Sequence, residues 1–200
     1  INVENEDINR KVYFLNNYDD KHDKLKELNE LNTELYINST NNKIPFQNYI
    51  IPNAIGKYNI ILKFKIYLID SSCMFAGCTN INNINFISFD TKYVTNMERM
   101  FFQCNNLENI DLSSFDTKNV NDMSGMFFDC NNLKNLDLSS FNTENVTDMK
   151  NIFGKCEKIN NINLSSFNTK NVIDMSYMFF RCKNLEYLDL SSFETEKVKN

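Results

Sequence analysis

The chain has 200 residues, 42% hydrophobic and 13% aromatic, with only 4 Gly and 2 Pro; this is the make-up of a folded protein and excludes collagen-like and linker-like chains. A net charge of −5 with no basic stripe argues against a nucleic-acid binder. The longest apolar run, over 58–68, is broken by Lys63 and Lys65, so no transmembrane helix is expected, nor is a signal peptide visible.

In chain order, residues 12–15 read as a short strand. Residues 19–32 are charged, with Leu25, Leu28 and Leu31 at helical spacing, and predict a helix. Residues 34–37, 44–51 and 58–68 read as strands, punctuated by Asn41-Asn42, Pro52-Asn53 and Gly56. Residues 1–67 thus form a small α+β segment. Its expected role is to cap a repeat array that would otherwise expose a raw apolar end.

From Leu68 onward the chain repeats. Cys78, Cys104, Cys130, Cys156 and Cys182 recur every 26 residues (104 − 78 = 26). Phe75, Phe101, Phe127, Phe153 and Phe179 keep the same step, as do Phe89, Phe115, Phe141, Phe167 and Phe193. A fixed period of this length predicts a solenoid of stacked coils. Leu133, Leu136 and Leu138 give the Leu-x-x-Leu-x-Leu strand pattern, with Asp137 pointing outward. Met123, Met126, Phe127 and Cys130 fall at i, i+3, i+4 and i+7, which predicts a short helix with Asp122, Asp148 and Asp174 as caps in successive copies. The chain begins at Ile1 and stops at Asn200 in mid-repeat, as a piece of a longer protein would.

The run from Leu136-Asp137-Leu138-Ser139-Ser140-Phe141 to Val146-Thr147-Asp148-Met149 resembles the BspA-type leucine-rich repeat, the surface-protein 26-residue repeat. Met123-Ser124-Gly125-Met126-Phe127-Phe128-Asp129-Cys130 resembles its other half. The resemblance covers residues 68–200. It implies a leucine-rich-repeat-like right-handed solenoid, with one parallel strand and one short helical turn per 26 residues. It further implies a protein of bacterial or protist surfaces, often in adhesion, without catalytic activity.

The cysteine ladder admits three readings. Cysteine packs as a small hydrophobe and shares a face with Met and Phe, which favours a buried, reduced column. Stacked coils also bring Cα atoms within disulfide range. A metal site lacks clustered partners, because His22 is the only histidine; it reads as a solvated helix residue. Cys73, off the ladder, is the expected exposed and reactive thiol. Asp111, Asp137 and Asp189 form a strand column with Asn85 and Asn163; Asp90 and Asp116 form a turn column with Asn142, Asn168 and Glu194. Calcium or acid–base roles are conceivable for such carboxylates, but alternation with Asn favours turn chemistry. Thr91, Thr117, Thr143, Thr169 and Thr195 form a column read as turn stabilisation rather than as a thin ice-binding ladder. Acceptor patterns for glycosylation at Asn38, Asn145 and Asn163 are expected by chance in so asparagine-rich a chain.

Function is expected on the strand face, where exposed positions vary while core columns do not. The candidate binding residues are Glu108, Asn109, Asp111, Lys134, Asn135, Asp137, Asn160, Asn161, Asn163, Glu186, Tyr187 and Asp189. The expected function is non-enzymatic binding of a protein or glycan at a cell surface, with a spacer or scaffold as the alternative. No cofactor, metal, nucleic acid or direct membrane insertion is expected; the sequence leaves the oligomeric state open.

Overall fold

A computed structural model describes residues 1–16, 25, 27–38 and 42–200. It is almost entirely non-helical and is built of short strand pairs and turns. In the first segment, β1 (Asn2–Val3) pairs with β5 (Gly56–Lys57), β2 (Val12–Tyr13) with β4 (Tyr49–Ile50), and β3 (Thr33–Ile37) with β6 (Ile60–Phe64), all antiparallel. These are shorter than the expected strands over 12–15, 44–51 and 58–68. Ile44 makes only an isolated bridge to Leu35. Half of the helix expected over 19–32 lies outside the described residues, as does His22; the part at 27–32 is not helical. The one described helical element is a 3₁₀ turn at Asn5–Asp7.

The first segment and the repeats share one hydrophobic cluster, in which Val12, Phe14 and Leu15 join Met74 and Phe75. Asn16 N–H donates to the Met74 carbonyl (2.9 Å) and Asn2 N–H to that of Asn80 (3.0 Å).

Successive repeats lie side by side in parallel, always 26 residues apart. β7 (Asn83–Ile84) pairs with β8 (Asn109–Ile110), with Asn83 opposite Asn109. β9 (Asn135–Asp137) pairs with β10 (Asn161–Asn163), with Leu136 opposite Ile162. A second line of bridges runs through Asp70, Asn96, Asp122, Asp148 and Asp174. This register puts like on like. Phe75, Phe101, Phe127, Phe153 and Phe179 stack with centroids 5.4–6.1 Å apart. Burying each such ring contributes about 1.5–3 kcal/mol.

The helical turn expected in each repeat is not formed. Met100 N–H donates to the Met97 carbonyl, and Cys104 N–H to that of Phe101 (both 3.2 Å), closing two consecutive four-residue turns. The third residue of each turn is left-handed, at φ 54° for Arg99 and 57° for Gln103. Gly125 and Asp129, Asn151 and Lys155, and Tyr177 and Arg181 repeat that pair. Two abutting turns direct their first and last residues inward. They therefore place apolar side chains at i, i+3, i+4 and i+7, the same spacing a helix produces. The alternate N–H groups serve a different purpose from those of a helix. Met97, Arg99, Phe101 and Gln103 donate to the carbonyls of Asp122, Ser124, Met126 and Phe128 in the next repeat, at 2.8–2.9 Å. A left-handed non-glycine residue costs about 1–2 kcal/mol. The inter-repeat ladder and the buried columns offset that cost.

Candidate functional site

Three columns of Asp and Asn shape the surface of each repeat, and all use the same device. The side-chain oxygen of residue i accepts the N–H of residue i+2, forming an Asx turn. On the strand side Asp111 accepts from Ser113 (3.0 Å), Asp137 from Ser139 (3.0 Å), Asn163 from Ser165 (3.2 Å) and Asp189 from Ser191 (2.9 Å). In the turn column Asp116 accepts from Lys118 (3.1 Å) and Asn142 from Glu144 (3.0 Å). Asp122, Asp148 and Asp174, expected as helix caps, instead accept from Ser124, Lys150 and Ser176 at 2.8–2.9 Å, since there is no helix to cap.

The local partners set the titration of these groups. The Ser113 hydroxyl and N–H hold the Asp111 carboxyl below its ordinary value; the Ser139 N–H and hydroxyl do the same for Asp137, and those of Ser191 for Asp189. Asp148 moves the other way. Desolvation raises it first, and the stacked charges of Asp122 and Asp174 add to that, against the Lys150 N–H.

The candidate strand-face residues are at the surface. Glu108, Asn109, Asp111, Lys134, Asn135, Asp137, Asn160, Asn161, Glu186, Tyr187 and Asp189 are exposed, and Asn163 is half-buried. Beneath them Leu136 and Ile162 are buried, as the two-residue period of a strand requires. A shallow depression of about 320 Å³ is lined by Asn83, Ile84 and Asn85 against Asn109, Ile110 and Asp111. A smaller one of about 170 Å³ runs from Asp111 to Asp137 and Ser139. Parallel pairing thus brings Asn85 and Asp111, and Asp137 and Asn163, onto one surface. It builds no enclosed pocket there. Among the described residues no cluster of His, Cys, Asp or Glu is placed to hold a metal ion.

Cys78, Cys104, Cys130 and Cys156 are fully buried, Cys182 is half-buried, and no cysteine forms a disulfide. Each thiol from Cys104 onward donates to a carbonyl of the preceding repeat: Cys104 to Phe75 (3.1 Å), Cys130 to Phe101 (3.1 Å), Cys156 to Phe127 (3.0 Å) and Cys182 to Phe153 (3.1 Å). Burial raises all five pKa values, that of Cys182 to about 11. Cys73 departs from expectation. It is 2% exposed, and the first segment bonds to the same turn through Asn16 N–H and the Met74 carbonyl.

The threonine column is also buried, at 0–1% exposure for Thr91, Thr117, Thr143 and Thr169, which removes it from any surface role. Its hydroxyls join neighbouring repeats instead of stabilising their own turns. Thr143 Oγ1 donates to the Asn168 carbonyl (3.0 Å) and accepts the Asn168 N–H (2.8 Å). Thr117 does the same with Asn142, and Thr169 with Glu194. The sequence signal for this clamp was the unbroken Thr column. What it lacked was any indication that the column faces inward.

Residues 69–163 and 132–200 match the family described as "Mycoplasma protein of unknown function, DUF285". The chain belongs to that family. Its members are surface-associated repeat proteins, in keeping with the 26-residue register seen above. No curated protein and no solved structure matches the chain. Among the described residues no helix is long and apolar enough to cross a membrane.

Proposed function

We propose that this DUF285 chain is a non-enzymatic recognition module that binds a protein or glycan at a cell surface. In this reading the repeats form a right-handed, BspA-type leucine-rich-repeat solenoid, residues 1–67 cap it, and the strand face grips the partner. One observation carries the proposal. The buried columns of Cys, Met, Phe and Thr hardly change between repeats, whereas the exposed strand positions do. They read Glu108, Lys134, Asn160 and Glu186 in one column and Asn109, Asn135, Asn161 and Tyr187 in the next. A scaffold needs only the constant columns; variation at the solvated strand positions suits a particular partner. The shallow relief of that face fits a broad macromolecular contact better than a small substrate.

The test is a binding screen of the protein against cell-surface proteins and glycans, repeated with Glu108→Ala, Asp137→Ala and Tyr187→Ala. Binding that falls at least tenfold in these variants supports the proposal. Attachment unchanged in all three would make the repeats a spacer.

A further inference from the structure

A second exposed surface lies on the opposite end of the repeat's sequence from the strand positions, and it differs in chemistry. Tyr67 and Tyr93 occupy equivalent positions (93 − 67 = 26) and are 65% and 47% exposed. Their rings meet edge to face, with centroids 5.0 Å apart and planes at 65°. The same column continues as Asn119, Asn145 and Asn171. Each amide is oriented by the repeat before it: Asn119 Nδ2 donates to the Lys92 carbonyl (2.8 Å), Asn145 Nδ2 to that of Lys118 (2.8 Å) and Asn171 Nδ2 to that of Glu144 (2.9 Å). The two donors of one amide cannot turn without breaking that bond. This leaves Oδ1 of the exposed Asn119 and Asn145 as fixed acceptors with no partner among the described residues.

We propose that the Tyr67–Tyr93 pair and the Asn119–Asn145 row bind a neutral, linear oligosaccharide lying along the stack of repeats. The rings supply flat, amphipathic faces for the C–H side of a sugar. The amide oxygens accept sugar hydroxyls. Neighbouring strands in parallel register are about 4.8 Å apart, close to the length of one sugar unit, so consecutive sugars would meet consecutive repeats. No carboxylate lies in this column; the flanking column runs Lys92, Lys118, Glu144 and Lys170, with Lys92 Nζ 5.5 Å from the Tyr93 ring centroid, so its charges are of both signs and a neutral ligand needs no counter-charge. An extended peptide is a poorer fit, because the backbone here is already committed between repeats. Thr95 N–H donates to Ile69, Asn121 to Thr95 and Thr147 to Asn121, at 2.8–2.9 Å, which leaves no open edge for strand addition. The site is separate from the strand face and does not depend on it.

The whole chain, with its tyrosine rings ¹³C-labelled, is titrated with hexamers of β-1,4-linked glucose and N-acetylglucosamine, and with polyglutamate as the peptide probe. Saturable shifts of the Tyr67 and Tyr93 ring signals with at least one sugar are expected. Tyr67→Ala and Tyr93→Ala should each weaken binding at least tenfold, and Asn119→Ala and Asn145→Ala severalfold. Tyr93→Phe, which keeps the ring, should retain it. Glu108→Ala/Asp137→Ala on the strand face should bind sugar as the parent does. No saturable shift with either sugar, undiminished binding after loss of either tyrosine, or shifts with polyglutamate alone would overturn the inference. Strand-face recognition in the same protein would be unaffected by that failure.

Discussion

Thr143→Val is the sharpest test of how neighbouring repeats are held together. The substitution preserves shape and removes one oxygen, which serves both backbone groups of Asn168 at 3.0 and 2.8 Å. Orphaning a buried donor or acceptor costs about 1–3 kcal/mol. Thr143 is 0% exposed, but its partner Asn168 is exposed, and there water recovers part of the loss. A net cost of about 2 kcal/mol for the pair follows. Thr143→Ser keeps the oxygen and loses one methyl, at about 0.8 kcal/mol. Urea unfolding should therefore rank the parent above Ser and Ser above Val. Amide exchange at Asn168 should quicken by about thirtyfold in the Val variant, at 1.4 kcal/mol per factor of ten. A Val variant as stable as the Ser variant would show that the hydroxyl clamp contributes nothing.

Further outcomes are expected. Phe127→Ala, at the centre of the stacked column, should cost about 3–5 kcal/mol by denaturant unfolding, whereas Phe102→Ala at the half-buried ring should cost much less. Arg99→Gly should stabilise by up to about 1 kcal/mol, because Arg99 is left-handed and exposed; Gly125→Ala should destabilise, its Cβ meeting Arg99 Cγ at 3.3 Å as well as adopting φ +60°. Gly154→Ala should destabilise for a different reason, since its Cβ would come within 2.9 Å of the Phe128 ring. The thiols should resist a soluble disulfide reagent at neutral pH until the chain unfolds, with Cys182 reacting first. Because their folded pKa values are raised above the ordinary 9.0, the stability they contribute is intact below pH 9 and is lost as pH rises through about 11 for Cys182. A melting temperature unchanged from pH 8 to 11 would contradict this.

How far the sequence can be read depends on which signal is periodic. The apolar columns are legible because burial tolerates few residue types, so Cys104, Phe101 and Met97 recur almost unchanged. The backbone path that carries them is not legible from the same spacing. Two abutting turns and one helix both place side chains at i, i+3, i+4 and i+7. The feature that separates them is the left-handed third residue of each turn. That signal is diluted, because Gly125, Gly77 and Asn151 share their columns with Arg99, Lys155 and Tyr177. The burial of Cys73 is hidden for a related reason: its repeat equivalents Arg99 and Tyr177 are exposed.

The sequence alone determines the 26-residue register, the residues that stack on one another and the polar turns between them. Each follows from side-chain chemistry that repeats. The tertiary structure decides what the backbone donors and hydroxyls bond to. It turns an expected helix into an inter-repeat ladder, and a threonine turn into a clamp. The reason is physical: a hydrogen bond within a repeat and one between repeats can use the same residue types. Only the stacking of one coil on the next, with every buried N–H seeking an acceptor, chooses between them.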